Sequence, residues 1–188
     1  MRTLFIGLAM IVRNEAHIIE RCLGSVRGLI DTWTIIDTGS TDRTVEIARQ
    51  HGAHVGHFEW CNDFAAARNA SIAPATGDWI LFLDADEELS PAEKIELPSL
   101  LIQTQISLYR LPLINTHQGE KSQSYVPRLF RNPPGLMFYG CVHEGVLSFM
   151  EKIYRLVDYR KDGVKYIEEY LVANPIKEEV SNSTPEII

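Results

Sequence analysis

The first half of the chain alternates short, strongly apolar runs with stretches whose apolar residues recur at helical spacing, and that alternation leaves few folds open. Residues 4–12, 33–36, 53–58 and 79–83 have the length and composition of buried strands. Between the first two, Ile18, Ile19, Cys22, Leu23, Val26 and Ile30 make one helical face. The turn Asp37-Thr38-Gly39-Ser40-Thr41-Asp42 is rich in cap-forming side chains and opens a helix carrying Val45, Ile47 and Ala48. An alanine-rich helix follows over 62–72 and is stopped by Pro74 and Gly77. Strands separated by crossover helices predict an α/β domain with a doubly wound, mostly parallel central sheet.

Beyond residue 88 the texture changes. Ser90-Pro91-Ala92-Glu93 reads as a capping box with proline at the first helical position, and this helix passes Pro98 only with a kink. Residues 107–114, 125–131 and 136–142 read as strands, separated by a polar turn over 116–124 and by Asn132-Pro133-Pro134-Gly135. They are expected to extend the sheet in mixed or antiparallel fashion. Residues 145–173 read as a short C-terminal helical extension and 174–188 as a polar tail expected to be disordered. At 188 residues the chain can bury one substantial core, placed here at 1–144 with halves at 1–88 and 89–144.

Charge and composition narrow the function classes. A net charge of -7 argues against nucleic acid or anionic lipid as a partner, because such binding relies on a basic stripe that releases counterions. Three cysteines, Cys22, Cys61 and Cys141, are too few and too far apart for a disulfide framework or a thiolate zinc site, so a cytoplasmic location is expected. The run 4–12 leads into Arg13-Asn14-Glu15 without a small-residue cleavage site, as a buried strand would rather than a signal peptide. No run approaches the ~18 apolar residues of a membrane helix, so no transmembrane segment is expected.

In open α/β sheets ligands bind outside the carboxyl ends of the parallel strands, and Asn14-Glu15, residues 37–42 and residues 84–88 all fall there. In Asp84-Ala85-Asp86, two carboxylates one residue apart can approach a hard cation from one side, with phosphate oxygens and water completing the shell of Mg²⁺ or Mn²⁺. The same triplet also fits a solvated acidic loop. It fits a calcium-binding EF-hand poorly, since the sixth position is Leu89 and the twelfth Ile95. An aspartyl phosphatase with Asp84 as nucleophile would not place Glu88 where it stands. His51, His54, His57 and Cys61 do not share one strand face and are read as structural. Trp60 and Trp79 are read as packing residues. Arg128 and Arg131 suit either a phosphate contact or an ordinary strand surface.

Five blocks in order carry a family resemblance: residues 10–15 (MIVRNE), 36–42 (IDTGSTD), 62–69 (NDFAAARN), 81–87 (LFLDADE), and 127–132 (PRLFRN) followed by Val142-His143-Glu144. Over most of 8–144 the chain resembles the family 2 glycosyltransferases, in a subgroup often found with tetratricopeptide repeats. The resemblance implies a single GT-A-like (Rossmann-like) domain, with 1–88 binding a nucleotide sugar and 89–144 on the acceptor side. It implies transfer from a nucleoside-diphosphate sugar, UDP-sugar favoured, to an unidentified acceptor with inversion. Glu15, Asp37, Arg68 and Asp84 would bind the donor. Asp84 and Asp86 would hold the cation, His143 is a candidate third ligand, and Glu144 is the candidate catalytic base. The stretch after Glu144 leaves room for one helix pair rather than a repeat array. An incomplete acceptor site, completed by a partner chain or leaving a non-catalytic nucleotide-sugar-binding relative, is therefore the alternative reading.

Overall fold

The computed structural model describes residues 4–102, 106–117, 120–132, 136–139, 145–148, 156–160 and 163–167. Alternation appears as expected in the first half: β1 (Ile6–Val12), α1 (Ile19–Val26), β2 (Thr32–Asp37), α2 (Thr44–Gln50), β3 (His54–His57), α3 (Phe64–Ile72) and β4 (Trp79–Phe82). Then follow α4 (Pro91–Leu100), β5 (Leu108–His117), β6 (Glu120–Arg131), β7 (Leu136–Tyr139), β8 (Gly145–Ser148), β9 (Leu156–Arg160) and β10 (Gly163–Ile167). Eight strands form one sheet in the order β10-β9-β5-β6-β4-β1-β2-β3. β4, β1, β2 and β3 are mutually parallel, and β6 joins antiparallel to β4.

The pleat explains why helices cover both faces of this sheet. Ile6, Leu8, Met10 and Val12 of β1 and Trp79 and Leu81 of β4 point into a core with Ile19, Cys22, Leu23 and Val26 of α1 and Leu97 and Leu100 of α4. Ala9, Ile80 and Phe82 point the other way, against Ala65 and Ile72 of α3 and against Phe130 and Phe138. A strand buried on both faces must read as continuously apolar, which is why these runs lack a polar alternation. The capping box expected at 90–93 forms, while α2 follows Arg43 with no side-chain cap bond and α3 has an Asp63 cap not expected from sequence. Asp63 accepts from the amide of Ala66 at the start of α3, and Ser90 and Glu93 close a capping box on α4, which continues through Pro98.

The second half departs from expectation in three places. The polar residues 116–124 do not make a broad turn: β5 and β6 continue as a ribbon paired out to His117↔Glu120. Exposed polar side chains suit an antiparallel ladder that faces water while its backbone groups bond each other. Strand β7 does not extend the main sheet but pairs with β8, Leu136↔Ser148 to Tyr139↔Gly145. The expected C-terminal helix is replaced, where the chain is described, by β8, β9 and β10. β9 pairs parallel with β5 and antiparallel with β10, from Leu156↔Ile167 to Arg160↔Gly163. The β-branched and aromatic residues of the β9 and β10 sequences suit paired strands better than a helix. Residues 168–188, which include the expected polar tail, lie outside the described residues.

One glycine fixes how closely the chain packs at the opposite end of the central strands. A Cβ on Gly7 would lie 2.3 Å from the Thr76 carbonyl oxygen and 3.1 Å from Ile80 Cδ1 and Thr32 Oγ1. Gly7→Ala is therefore expected to destabilise the domain by about 1–3 kcal/mol through overpacking. Urea unfolding would show this as a lower midpoint at unchanged slope; an unchanged midpoint would mean that the 76–78 segment yields at no cost.

Candidate functional site

The chain runs outward through β1, β2 and β3 and then returns to place β4 on the other side of β1. That reversal opens a crevice outside the carboxyl ends of β1 and β4, where open α/β sheets receive ligands. A cavity of about 580 Å³ occupies it. Its walls include Arg13, Glu15 and His17 after β1, Thr38 after β2, Trp60 after β3, Phe64 and Arg68 of α3, and Asp84, Ala85 and Asp86 after β4.

Two loops are locked together to make the β1–β2 wall. Asn14, in the left-handed region at φ 57°, accepts from the Thr41 amide at 2.8 Å and donates its own amide to Ser40 Oγ at 2.9 Å. The Glu15 amide donates to Thr44 Oγ1 at 2.7 Å, and the Thr38 amide bonds the Val12 carbonyl at 2.9 Å. The buried Asp37 carboxylate accepts from the amides of Gly39 and Ser40 at 3.1–3.2 Å and lies 3.7 Å from His57 Nδ1. Asp37 thus holds its own turn and does not line the cavity, although its neighbour Thr38 does.

The acidic loop is the electrostatic centre of the site. Arg68 Nη1 lies 3.3 Å from Asp84 Oδ1, its guanidinium seated 4.6 Å from the Phe82 ring centroid and 5.8 Å from that of Phe138. Arg128 Nη2 donates to Asp84 Oδ2 at 2.9 Å and to Glu87 Oε1 at 2.5 Å. Glu87 Oε2 accepts from the Asp84 amide at 3.0 Å, and Glu88 pairs with Arg21 of α1. Three of the four carboxylates therefore have a guanidinium partner. Asp86, exposed on the cavity wall, has none among the described residues.

Burial raises the Glu87 pKa above the ordinary carboxylate value, with the nearby Arg128 charge opposing the rise. Burial also tends to lower the Arg128 pKa, but Asp84 and Glu87 outweigh it and the net direction is upward. Beneath the loop, the Cys22 thiol reaches towards the Asp84 carbonyl at 3.5 Å. Its pKa is pushed up to about 12, first by burial and then by Glu87, Asp84, Asp86 and Glu88.

The cavity thus gathers Glu15, Arg68, Asp84 and Asp86 of the residues singled out from sequence. His143 and Glu144 lie outside the described residues, between β7 and β8. Trp79 packs in the core, whereas Trp60 is half-buried and lines the cavity, so reading Trp60 as a packing residue is corrected. From sequence, Arg128 suits either a phosphate contact or an ordinary strand surface. Its side chain is 15% exposed and joined to the acidic loop, while Arg131 lies over the Trp79 ring and donates to the Ile106 carbonyl at 2.6 Å. The available signal was the position of Arg128 on a strand antiparallel to the one that ends in the acidic triplet.

Two expectations follow from the charges. Arg128→Met strands a Glu87 carboxylate that is 11% exposed, and should lower stability by about 2–4 kcal/mol. Adding Glu87→Gln should restore part of that loss in denaturant unfolding; no recovery would place the Arg128 contribution elsewhere. The thiolate is the reactive form, so iodoacetamide at pH 8 should modify the exposed Cys61 readily and Cys22 only after unfolding, as read by peptide mass mapping.

The chain matches glycosyl transferase family 2 over residues 8–156. It is 47% identical over 139 residues to a TPR repeat-containing protein of Synechococcus elongatus, covering 74% of this chain and 34% of that one. It is 33% identical over 149 residues to the SPbeta prophage-derived glycosyltransferase SunS of Bacillus subtilis, covering 77% of this chain and 35% of that one. The chain thus spans about a third of the length of these curated relatives. Among solved structures, TarS 1-349 of S. aureus superposes with a TM-score of 0.54 at 14% identity, over 69% of this chain and 47% of that one. The same protein in complex with UDP-GlcNAc gives a TM-score of 0.54 at 16% identity, over 62% of this chain and 36% of that one. These likenesses are of fold, and the architecture is GT-A-like. With family, fold and crevice in agreement, the chain belongs to glycosyl transferase family 2.

Proposed function

We propose that this domain transfers a sugar from a nucleoside-diphosphate sugar to an acceptor, with a divalent cation held at Asp84 and Asp86. The observation that carries the reading is the division of charge in the acidic loop: Asp84 is held in place by two guanidinium groups, while Asp86 stands exposed on the same cavity wall with no ion-pair partner among the described residues. Among the described residues no group of three His, Cys, Asp or Glu side chains is placed to hold an ion. Two carboxylates with phosphate oxygens and water suit Mg²⁺ or Mn²⁺, which keep part of their shell for such ligands. A cation there would neutralise charge growing on the leaving diphosphate.

Arg68, on the cavity wall, would supply its guanidinium charge to a phosphate while it steadies Asp84. Glu15 reaches the cavity from the β1 end, where its carboxylate can accept from ribose hydroxyls. Asp37, bonded to the amides of Gly39 and Ser40, would act on the nucleoside by fixing the turn that brings Thr38 to the cavity wall. His143 as third ligand and Glu144 as base complete the proposal. A single base opposite the leaving group gives inversion at the anomeric carbon. UDP-sugars are the first donors to try, because the fold neighbour TarS was solved with UDP-GlcNAc. The exposed free thiol of Cys61 fits a reducing cytoplasm.

Thermal unfolding with UDP-, GDP-, dTDP- and CDP-sugars, with Mn²⁺ or EDTA, tests donor binding without knowledge of the acceptor. One class should raise the midpoint only with the metal, and Asp86→Ala should abolish that rise while leaving the ligand-free midpoint in place. Where an acceptor is found, the same substitution should lower turnover by roughly 100-fold or more, with product of inverted configuration. No rise for any donor in the presence of metal would overturn the reading.

A further inference from the structure

The proposed donor site leaves one wall of the cavity unexplained. Trp60 and Phe64 meet edge to face with ring centroids 4.8 Å apart, and both line the cavity rather than the core. Phe64 is 40% exposed although it sits on a helix whose other face is buried. The Trp60 indole is held in place: its Nε1 donates to Asn62 Oδ1 at 3.1 Å, and Asn62 adopts the left-handed conformation at φ 59° immediately before the Asp63 cap of α3. The turn thus spends an unusual backbone conformation on presenting a ring to open space. Ordered, half-exposed aromatic rings on a cavity wall suit a planar ligand group.

Strand order says which part of the ligand arrives there. Loops after β4, β1, β2 and β3 line the cavity in that spatial order, so its two ends are three strand spacings apart, about 14 Å. Asp84, Asp86 and Arg68 mark the β4 end and fix the diphosphate there. Phe64 lies one helical turn, about 6 Å, back along α3 from Arg68. Trp60 lies beyond Phe64, after β3. A nucleoside diphosphate extended from the β4 end carries its base towards β2 and β3, away from the transferred sugar.

We propose that Trp60, braced by Phe64, is the stacking platform for the nucleobase of the donor. The inference rests on the donor-site reading above. Stacking on a π-face tolerates every base, so the platform gives affinity and orientation, while base identity is read by polar groups elsewhere on the wall.

The test uses the full chain with UDP, GDP, CDP and dTDP, each with Mn²⁺, and with pyrophosphate plus Mn²⁺ as a diphosphate that lacks a base. Binding is read by calorimetry and stacking by tryptophan fluorescence. The nucleotide that binds should change the emission, and pyrophosphate should not. Trp60→Phe should remove the fluorescence change, leaving Trp33 and Trp79 silent, and keep affinity within about threefold. Trp60→Leu should weaken binding roughly fivefold or more. Calorimetric binding with unchanged emission, or undiminished affinity in Trp60→Leu, overturns the platform and leaves the donor site standing. A fluorescence change seen with a sugar nucleotide but not with its nucleoside diphosphate would assign the ring to the sugar and also overturn it. Failure of every nucleotide to bind would overturn both.

Discussion

Four carboxylates within five residues repel one another, and a loop carrying them at the end of a buried strand keeps its shape only if cations reach it from elsewhere in the chain. Arg21 comes from α1, Arg68 from α3 on the other face of the sheet, and Arg128 from β6, 44 residues along the chain from Asp84. The loop is therefore built by tertiary structure. The register of β6 on β4, with Leu81 opposite Leu129, puts Arg128 where it can reach both Asp84 and Glu87. A slip of one residue would turn Arg128 to the opposite face and leave Leu129 facing the acids. The antiparallel half of the domain thus holds the acidic loop of the parallel half in shape.

Much of the parallel half was legible in the sequence, because a strand buried on both faces must be continuously apolar and its helices must show one apolar stripe. Residues 79–83 and the Ile19, Cys22, Leu23, Val26 stripe meet those demands without ambiguity. The second half was harder to read. Its strands have one wet face, and their polar residues imitate a turn at 116–124 and a helix after 145. In both places the winning term was backbone pairing with a neighbouring strand. That energy is not written in the side chains of the segment itself.

The site was legible in its acids and less so in its bases and aromatics. Asp84 and Asp86 announce themselves as a pair at a strand end, and Glu15 follows the first strand. Arg128 carries no local signal, since its meaning depends on a contact 44 residues away in sequence. Trp60 belongs to a turn whose direction is set by a left-handed asparagine, a conformation that the residue type permits but does not announce. Asp37 shows the reverse case: a carboxylate at a strand end invites a ligand role, yet its nearest donors are the amides of its own turn.

If the cavity takes the proposed donor and cation, its charges give a physical reason for the two to bind in one event. Among its lining residues, Arg13 and Arg68 are positive and Glu15, Asp84 and Asp86 are negative, a balance of two against three. A diphosphate entering alone meets a wall with no surplus of positive charge, in a chain of net charge -7. A divalent cation alone meets Asp86, but finds both Asp84 oxygens already facing guanidinium groups. On the proposed reading each ligand would supply what the other lacks: the cation would reverse the sign of the wall, and phosphate oxygens would fill the shell that two carboxylates leave open. Linkage makes that coupling reciprocal, so whatever strengthens one partner at this wall strengthens the other by the same factor.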